Sequence, residues 1–341
     1  MATAESRLAI DGGRPVRSEP IPQGPHGVSE IGDEEIAAVT EVLRSRKIFR
    51  YLKSEEESYA SRLEAAYREM LGVRYALATT GGTSALIAAL VGLGVGTGDE
   101  VIIPGYTYIA TAAAVITVGA IPVIAEIDDT LTLDPRDVER LITPLTKAII
   151  PVHMRGLPAQ MDKIMAIARA HGLKVLEDVA QANGGMYKGR MLGSIGDAGA
   201  FSFQHYKVIT SGEGGMVVTN DETVMRRAAC KHDSAMIFWD AQGRYGRSFA
   251  GENMRMCEMR AALGYVQFGR LAGILEKTRR YKRRVTEQIA GLPGVELVRS
   301  ADPEGDCGIS LGLFLPTAEE AQRFSRALRA EGVPNGTAYS D

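Results

Sequence analysis

The sequence predicts an α/β fold, a doubly wound and mostly parallel sheet wrapped by helices, with a smaller α+β region at the C-terminal end. Three observations carry this expectation. Short apolar runs alternate with helical patterns from about residue 74 to residue 176, the mark of strand-helix-strand units whose strands run parallel. After residue 196 the alternation gives way to shorter strands around a glycine-rich segment, and then to a long helical stretch. The composition, 45% hydrophobic and 24% charged over 341 residues, suits a globular chain of two domains. Disorder, a collagen helix and a coiled coil are excluded, and the lack of a fixed repeat excludes a solenoid.

Ahead of the sheet, residues 34–43 and 55–71 read as amphipathic helices, the first opened by Asp33 as an N-cap. The sheet then begins with a strand over 75–79, a glycine turn and a helix from Thr83. It continues with a strand at 100–103, a helix at 108–118, a strand at 122–125 and a helix entered at Asp134-Pro135. A strand at 148–152, a helix at 161–170 and a strand at 173–176 complete the alternating part. Strands at 199–203 and 215–218 bracket the polar, glycine-rich segment 204–214. A helical stretch over 255–290 with one break follows, then strands at 295–298 and 310–315 and a helix at 317–331. We therefore expect a large domain over 1–265, N-terminal helices included, and a small domain over 266–341. Two strands and one helix leave much of an apolar face uncovered, so the small domain reads as incomplete and the chain as truncated at Asp341.

With 39 Lys and Arg against 42 Asp and Glu the formal charge is −3, which leaves no basic excess for a nucleic-acid backbone or an anionic membrane. Neither partner is expected. The most apolar stretch, 106–125, is broken by Thr107, Thr111, Thr117, Gly119 and Pro122, as a helix and a strand would be. Glu5, Arg7 and Asp11 leave no room for the apolar core of a secretory signal, so the expected compartment is the cytoplasm. Cys230, Cys257 and Cys307 are odd in number and far apart. They read as reduced packing residues, and no metal is expected.

Three groups of residues could carry chemistry. Glu177-Asp178-Val179-Ala180-Gln181 follows the strand at 173–176, and open α/β sheets place their ligands at the carboxyl ends of parallel strands. A helix cap or a turn acid at Asp178 is an equal reading of that motif alone. Ser202-Phe203-Gln204-His205-Tyr206-Lys207 precedes Ser211-Gly212-Glu213-Gly214-Gly215. A lysine among apolar and aromatic neighbours has its charged form disfavoured, and Schiff-base chemistry requires the neutral amine, although a loop lysine is usually just solvated. Thr79-Thr80-Gly81-Gly82-Thr83-Ser84 sets a glycine turn and hydroxyls at a helix start, where N–H groups and the macrodipole suit a phosphate. A plain capped turn has the same pattern. No Gly-x-x-x-x-Gly-Lys run exists, and Gly94-x-Gly96-x-Gly98 precedes a strand instead of following one, so the two common nucleotide loops are excluded.

Together these groups resemble the DegT/DnrJ/EryC1/StrS sugar aminotransferases, pyridoxal-phosphate enzymes of fold type I. Six motifs carry the resemblance in family order: Gly82-Thr83-Ser84-Ala85-Leu86, Pro104-Gly105-Tyr106-Thr107-Tyr108, Glu177-Asp178-x-Ala180-Gln181, Gly196-Asp197-x-Gly199-x-Phe201-Ser202-Phe203, Lys207 with Gly212-Glu213-Gly214-Gly215, and Asn253-x-Arg255-Met256. The resemblance implies that the domain over 1–265 binds pyridoxal 5′-phosphate. It implies that Lys207 holds this cofactor as a Schiff base and moves the proton between substrate carbon and cofactor. Asp178 is implied to pair with the pyridine nitrogen, Gln181 to meet the ring hydroxyl and Tyr108 to stack on the ring face. Gly82, Thr83, Ser84 and Ser202 are implied to hold the phosphate. Asn253 is implied to reach the phosphate in a neighbouring subunit, which makes the expected assembly a homodimer with shared active sites. His153 and His205 read as core or supporting histidines.

The activity so implied is transfer of an amino group from an amino acid, glutamate first, to a keto or aldehyde sugar in sugar or secondary-metabolite biosynthesis. Relatives that dehydrate sugars carry His at the Lys207 position, which argues against that chemistry here. Residues 8–15 resemble leaders of the branch that aminates a cyclitol or builds an aromatic amino acid. Residues 177–185 and 302–306 instead resemble the branch that makes 8-amino-3,8-dideoxyoctulosonate. A non-catalytic homologue is the alternative from a different class, because relatives carry further substrate-binding residues beyond this point.

Overall fold

A computed structural model describes residues 7–19, 26–234 and 249–338. Asp341, where the sequence reading places a truncation, lies outside the described residues. The chain divides into one unit of Pro25–Arg283 with Arg299–Ser310 and another of Met1–Gly24, Arg284–Val298 and Leu311–Asp341. This differs from the expected division at 265/266 in two ways: the break falls further along, and the N-terminal segment joins the small unit. The second difference has a visible cause. The Glu331 carboxylate accepts the N–H groups of Ala9 at 2.7 Å and Val16 at 2.8 Å.

In the larger unit the strands are β1 (Tyr75–Thr79), β2 (Glu100–Pro104), β3 (Ile121–Ala125), β4 (Thr146–Ile149), β5 (Lys174–Asp178), β6 (Met186–Tyr187), β7 (Arg190–Met191), β8 (Ala198–Ser202) and β9 (Gly215–Thr219). Seven of them form one sheet in the order β1-β9-β8-β5-β4-β2-β3, while β6 and β7 pair as a separate hairpin. Only β9 runs antiparallel to its neighbours, β1 and β8; the other pairs are parallel. The helices are α1 (Asp33–Ser45), α2 (Tyr59–Leu71), α3 (Gly82–Gly92), α4 (Ala110–Thr117), α5 (Pro135–Arg140), α6 (Met161–His171), α7 (Glu222–His232) and α8 (Glu258–Ile289).

Alternate strand residues enter two separate apolar layers. Ile102, Val175, Met216 and Val218 pack with residues of α2, α6 and the start of α8. Val101, Ile103, Leu176 and Val217 pack with α3, α4 and α7. Both faces are therefore covered, which is why the strands read as continuous apolar runs rather than alternating ones.

Four local expectations change. Asp33 is the first helical residue, and the cap is Gly32, whose N–H is accepted by Glu35 at 2.9 Å. Helix α2 starts at Tyr59 rather than 55, because the Glu258 carboxylate accepts the Tyr59 and Ala60 N–H groups at 2.8 and 3.2 Å. That carboxylate faces the positive end of the helix dipole. Helix α8 runs unbroken for 32 residues, with no interruption. Strand β5 extends through Glu177 and Asp178, so these acids end the strand instead of following it.

The smaller unit holds the two-residue strands β10 (Glu296–Leu297) and β11 (Leu313–Phe314), paired antiparallel, and helix α9 (Ala318–Ala330). Thr317 caps α9 by accepting the Glu320 N–H at 3.1 Å. Among the described residues no helix is long and apolar enough to cross a membrane. The three cysteines are free.

Candidate active site

The parallel strands deliver their carboxyl ends to one edge of the sheet, and the motif residues converge there. Asp178 ends β5 with its side chain 5% exposed. One carboxylate oxygen accepts the Thr111 hydroxyl at 2.9 Å and the other the Ala180 N–H at 3.0 Å. Thr111 is in turn bonded to the Thr107 hydroxyl at 2.7 Å, which ties the β2–α4 loop to the acid. Burial pushes the Asp178 carboxyl up, opposed by these two donors and by the charge of Lys207.

Lys207 stands on the loop between β8 and β9. The loop is shaped by its own polar residues: the Phe203 carbonyl accepts the Ser211 N–H at 2.9 Å and the Thr210 hydroxyl at 3.1 Å. The Gly212 N–H returns to the Thr210 hydroxyl at 2.9 Å. Burial pushes the Lys207 ammonium pKa down, against the charges of Asp178 and Glu213. Desolvation thus favours the neutral form of both Lys207 and Asp178, while their mutual attraction favours the charged pair. The Lys207 nitrogen is 6.0 Å from the centroid of the Tyr108 ring, which is itself exposed.

The β1–α3 turn brings an uncapped helix start to the same edge. Helix α3 starts at Gly82 with no side chain capping it, so the first N–H groups keep their capacity for an acceptor. Ser84 is bonded to the Thr80 hydroxyl at 3.0 Å, and Thr83 is exposed. Ser202, at the end of β8, lies directly behind: a Cβ on Gly82 would come within 2.7 Å of the Ser202 Cβ. At Gly215 a Cβ would come within 2.4 Å of the Gly81 carbonyl. Glycine at both positions lets β8, β9 and the turn close on one another.

Behind Asp178 sits a fully buried pair. Glu177 accepts the Ile195 and Gly196 N–H groups at 2.7 Å each, the Gly193 N–H at 2.9 Å and His153 Nε2 at 3.2 Å. His153 Nδ1 accepts the Ala159 N–H at 3.0 Å, which assigns the ring proton to Nε2. His153 is therefore a supporting core residue. His205 is not a core residue: it is exposed, with its ring edge against Tyr206.

Gln181 accepts the Arg155 N–H at 3.1 Å through its side-chain oxygen, which leaves its amide nitrogen for a ring oxygen. Asn253 is exposed. Its neighbour Met254 accepts the Thr80 N–H at 2.8 Å, so the segment runs beside the α3 turn. Helix α8 begins five residues later, at Glu258, and Asn253 does not cap it.

The cofactor implied by the resemblance needs an amine of lowered basicity, a buried carboxylate and a phosphate seat. Lys207, Asp178 and the uncapped start of α3 meet these needs on one sheet edge, and the residues fit pyridoxal phosphate. Sequence reasoning missed Thr111, Glu177 and Arg155. A threonine on an apolar helix facing the strand end was a usable signal for the first.

The family model described as the DegT/DnrJ/EryC1/StrS aminotransferase family matches residues 29–341. The chain is 45% identical to GDP-perosamine synthase of Caulobacter vibrioides over 61% of this chain and 56% of that protein, so it spans just over half of that relative's length. It is 35% identical to the L-glutamine:2-deoxy-scyllo-inosose aminotransferase of Streptomyces kanamyceticus, over 100% of this chain and 82% of that one. The solved aminotransferase from Psychrobacter cryohalolentis superposes with a TM-score of 0.80 at 32% identity, covering 93% of this chain and 83% of its own.

Proposed function

The chain belongs to the DegT/DnrJ/EryC1/StrS aminotransferase family, whose aminotransferases use pyridoxal phosphate, and we propose that it moves an amino group from an amino acid to a keto or aldehyde carbon of a sugar or cyclitol. The observation that carries this reading is the placement of Lys207 within charge range of the buried Asp178 carboxylate, which Thr111 and Ala180 fix, on the sheet edge that also holds an uncapped helix start.

Bound pyridoxal phosphate supplies an aldehyde for amines and a ring that accepts the electron pair released at the substrate carbon. Asp178, steadied by Thr111 and Ala180, would hold a proton on the ring nitrogen. Lys207 Nζ would take the proton from the substrate carbon and hand it to the cofactor carbon that carries the amino group. The N–H groups of Gly82, Thr83 and Ser84, with the Ser84 and Ser202 hydroxyls, would hold the phosphate. Tyr108 would cover a ring face and the Gln181 amide would donate to the ring oxygen.

Glutamate is the donor we put forward. Glutamine is the second reading, favoured by similarity to the glutamine-dependent enzyme of Streptomyces kanamyceticus. Similarity to GDP-perosamine synthase supports a sugar acceptor, and the match of this whole chain to 82% of a cyclitol enzyme supports a cyclitol one. Asn253, exposed beside the phosphate turn, supports a homodimer with shared sites. The charge of −3 and the free cysteines support a cytoplasmic enzyme without nucleic-acid or membrane partners.

The test is to add pyridoxal phosphate to the purified chain, reduce with borohydride and map the labelled peptide. The label is expected on Lys207, and a Lys207→Ala chain should lose both label and visible absorbance. Label on a different lysine would overturn the assignment. Keto sugars and scyllo-inosose screened with glutamate and glutamine then identify acceptor and donor, and transfer to none of them would favour a non-catalytic homologue.

A further inference from the structure

Arg155 stands on the same sheet edge, in a conformation that arginine does not favour by itself. Its φ is 57°, in the left-handed region that non-glycine residues rarely enter and that clusters at functional sites. Its surroundings hold it there. Gln181 accepts its N–H at 3.1 Å, and the Ser310 hydroxyl donates to its carbonyl at 3.0 Å. Two residues earlier, the His153 N–H is bonded to the Asp178 carbonyl at 3.1 Å, so the Arg155 backbone is coupled to the strand end that bears the catalytic acid.

The side chain is exposed yet oriented. Nε donates to the Tyr106 hydroxyl at 3.1 Å, and Tyr106 belongs to the loop that follows β2. Among the described residues, no carboxylate pairs with Arg155 and neither of its terminal nitrogens has a hydrogen-bond partner. The guanidinium is thus fixed at Nε by a tyrosine, while its terminal fork stays open. An ordinary surface arginine pairs with a nearby acid or swings freely, with no strained backbone to aim it.

We propose that Arg155, aimed by Tyr106, binds a carboxylate of one of the two reactants and so sets substrate specificity. This rests on the aminotransferase reading above. The open fork matches the two oxygens of a planar carboxylate, which a lysine cannot do. The carboxylate has two sources, the amino-acid donor or an acidic sugar acceptor, and the chemistry at Arg155 is the same for both.

The test is titration calorimetry on the cofactor-loaded chain with succinate, D-glucuronate and neutral D-glucose. Arg155→Met should weaken at least one acid by tenfold or more and leave borohydride labelling of Lys207 intact. Arg155→Lys should recover part of the loss, and Tyr106→Phe should cost a few-fold by releasing the fork. Loss for succinate alone assigns the donor carboxylate, and loss for glucuronate alone assigns the acceptor. If Arg155→Met does not fold, Arg155→Gly suits the 57° backbone and removes the same group. Unchanged affinity for both acids, or no acid binding by the wild type, overturns the proposal. Should the wild type fail to label at Lys207, the aminotransferase reading falls instead, and the same titrations on the unloaded chain still decide Arg155.

Discussion

Replacing Glu177 by Gln keeps the shape of a fully buried side chain and removes its ability to accept on both atoms. Four donors face the native carboxylate: the N–H groups of Gly193, Ile195 and Gly196, and His153 Nε2. A glutamine offers one oxygen and one NH₂. If the oxygen serves Ile195 and Gly196, the NH₂ meets the Gly193 N–H and the His153 proton head on. His153 cannot turn its proton away, because Nδ1 already accepts from Ala159. At least two bonds to a charged acceptor are lost, each contributing about 1.5–3 kcal/mol, so the cost is ~3–6 kcal/mol. That is a large fraction of the roughly 5–15 kcal/mol that holds a folded domain together. With a urea slope of about 3 kcal/mol/M the midpoint should fall by 1–2 M. His153→Phe combined with Glu177→Gln should cost less than the sum of the two single changes, because the buried clash disappears with the histidine. A Glu177→Gln midpoint within 0.3 M of the wild type, at unchanged slope and by the same scale, would refute the four-donor argument.

Asp178→Asn should fold and keep some cofactor but lose roughly 10²-fold or more in turnover, since an amide cannot hold the ring nitrogen protonated; near-native half-reaction rates would sink that role. Acid stability should fall in two stages. His232 is buried beside Arg50, and burial pushes its pKa down to about 3; the unfolded chain therefore takes up a proton first as pH drops below about 6.5, and stability declines from there toward pH 3. Burial would raise Glu35, but Arg270 bonded to its carboxylate at 2.6 Å, with Gly32 and Gln267, holds it at about 2. That stabilisation is complete above about pH 4.5 and disappears as pH falls through 2, so Arg270→Met should flatten the denaturation midpoint over this lower window. Sedimentation of Asn253→Ala, with and without pyridoxal phosphate, should show less cofactor-driven association than the wild type; a monomer holding cofactor at full affinity would exclude shared sites.

What was legible in the sequence follows from how local the cause is. Residues 75–79 and the edge acid Asp178 could be read because the strand, the glycine turn and the following helix are set by neighbours in the chain. The start of α2 could not, since the carboxylate that opens it comes from Glu258, 199 residues away from Tyr59. The same holds for the small unit, where Glu331 claims the N-terminal segment across more than 300 residues. Helix α7 went unread because its buried face, Val224, Met225, Ala228, Ala229, Cys230 and His232, mixes few large apolar side chains with a histidine and lies amid arginines and a lysine. The hairpin β6–β7, with two residues in each strand, is too short to show a period. In the site the division is similar. Lys207, Asp178 and the Gly82 turn stand out through the motifs that carry the family resemblance, whereas Glu177 and Thr111 act through where the fold puts them. Glu177 sits next to Asp178 in sequence, yet its side chain points to the opposite face of β5, as successive strand residues do. The acid meant for the cofactor side and the acid that fixes the 193–196 loop are thus one strand step apart. The motif, in which the sequence singles out Asp178 alone, holds in the fold one carboxylate on the side proposed for the ligand and one, Glu177, for the scaffold that keeps the first in place.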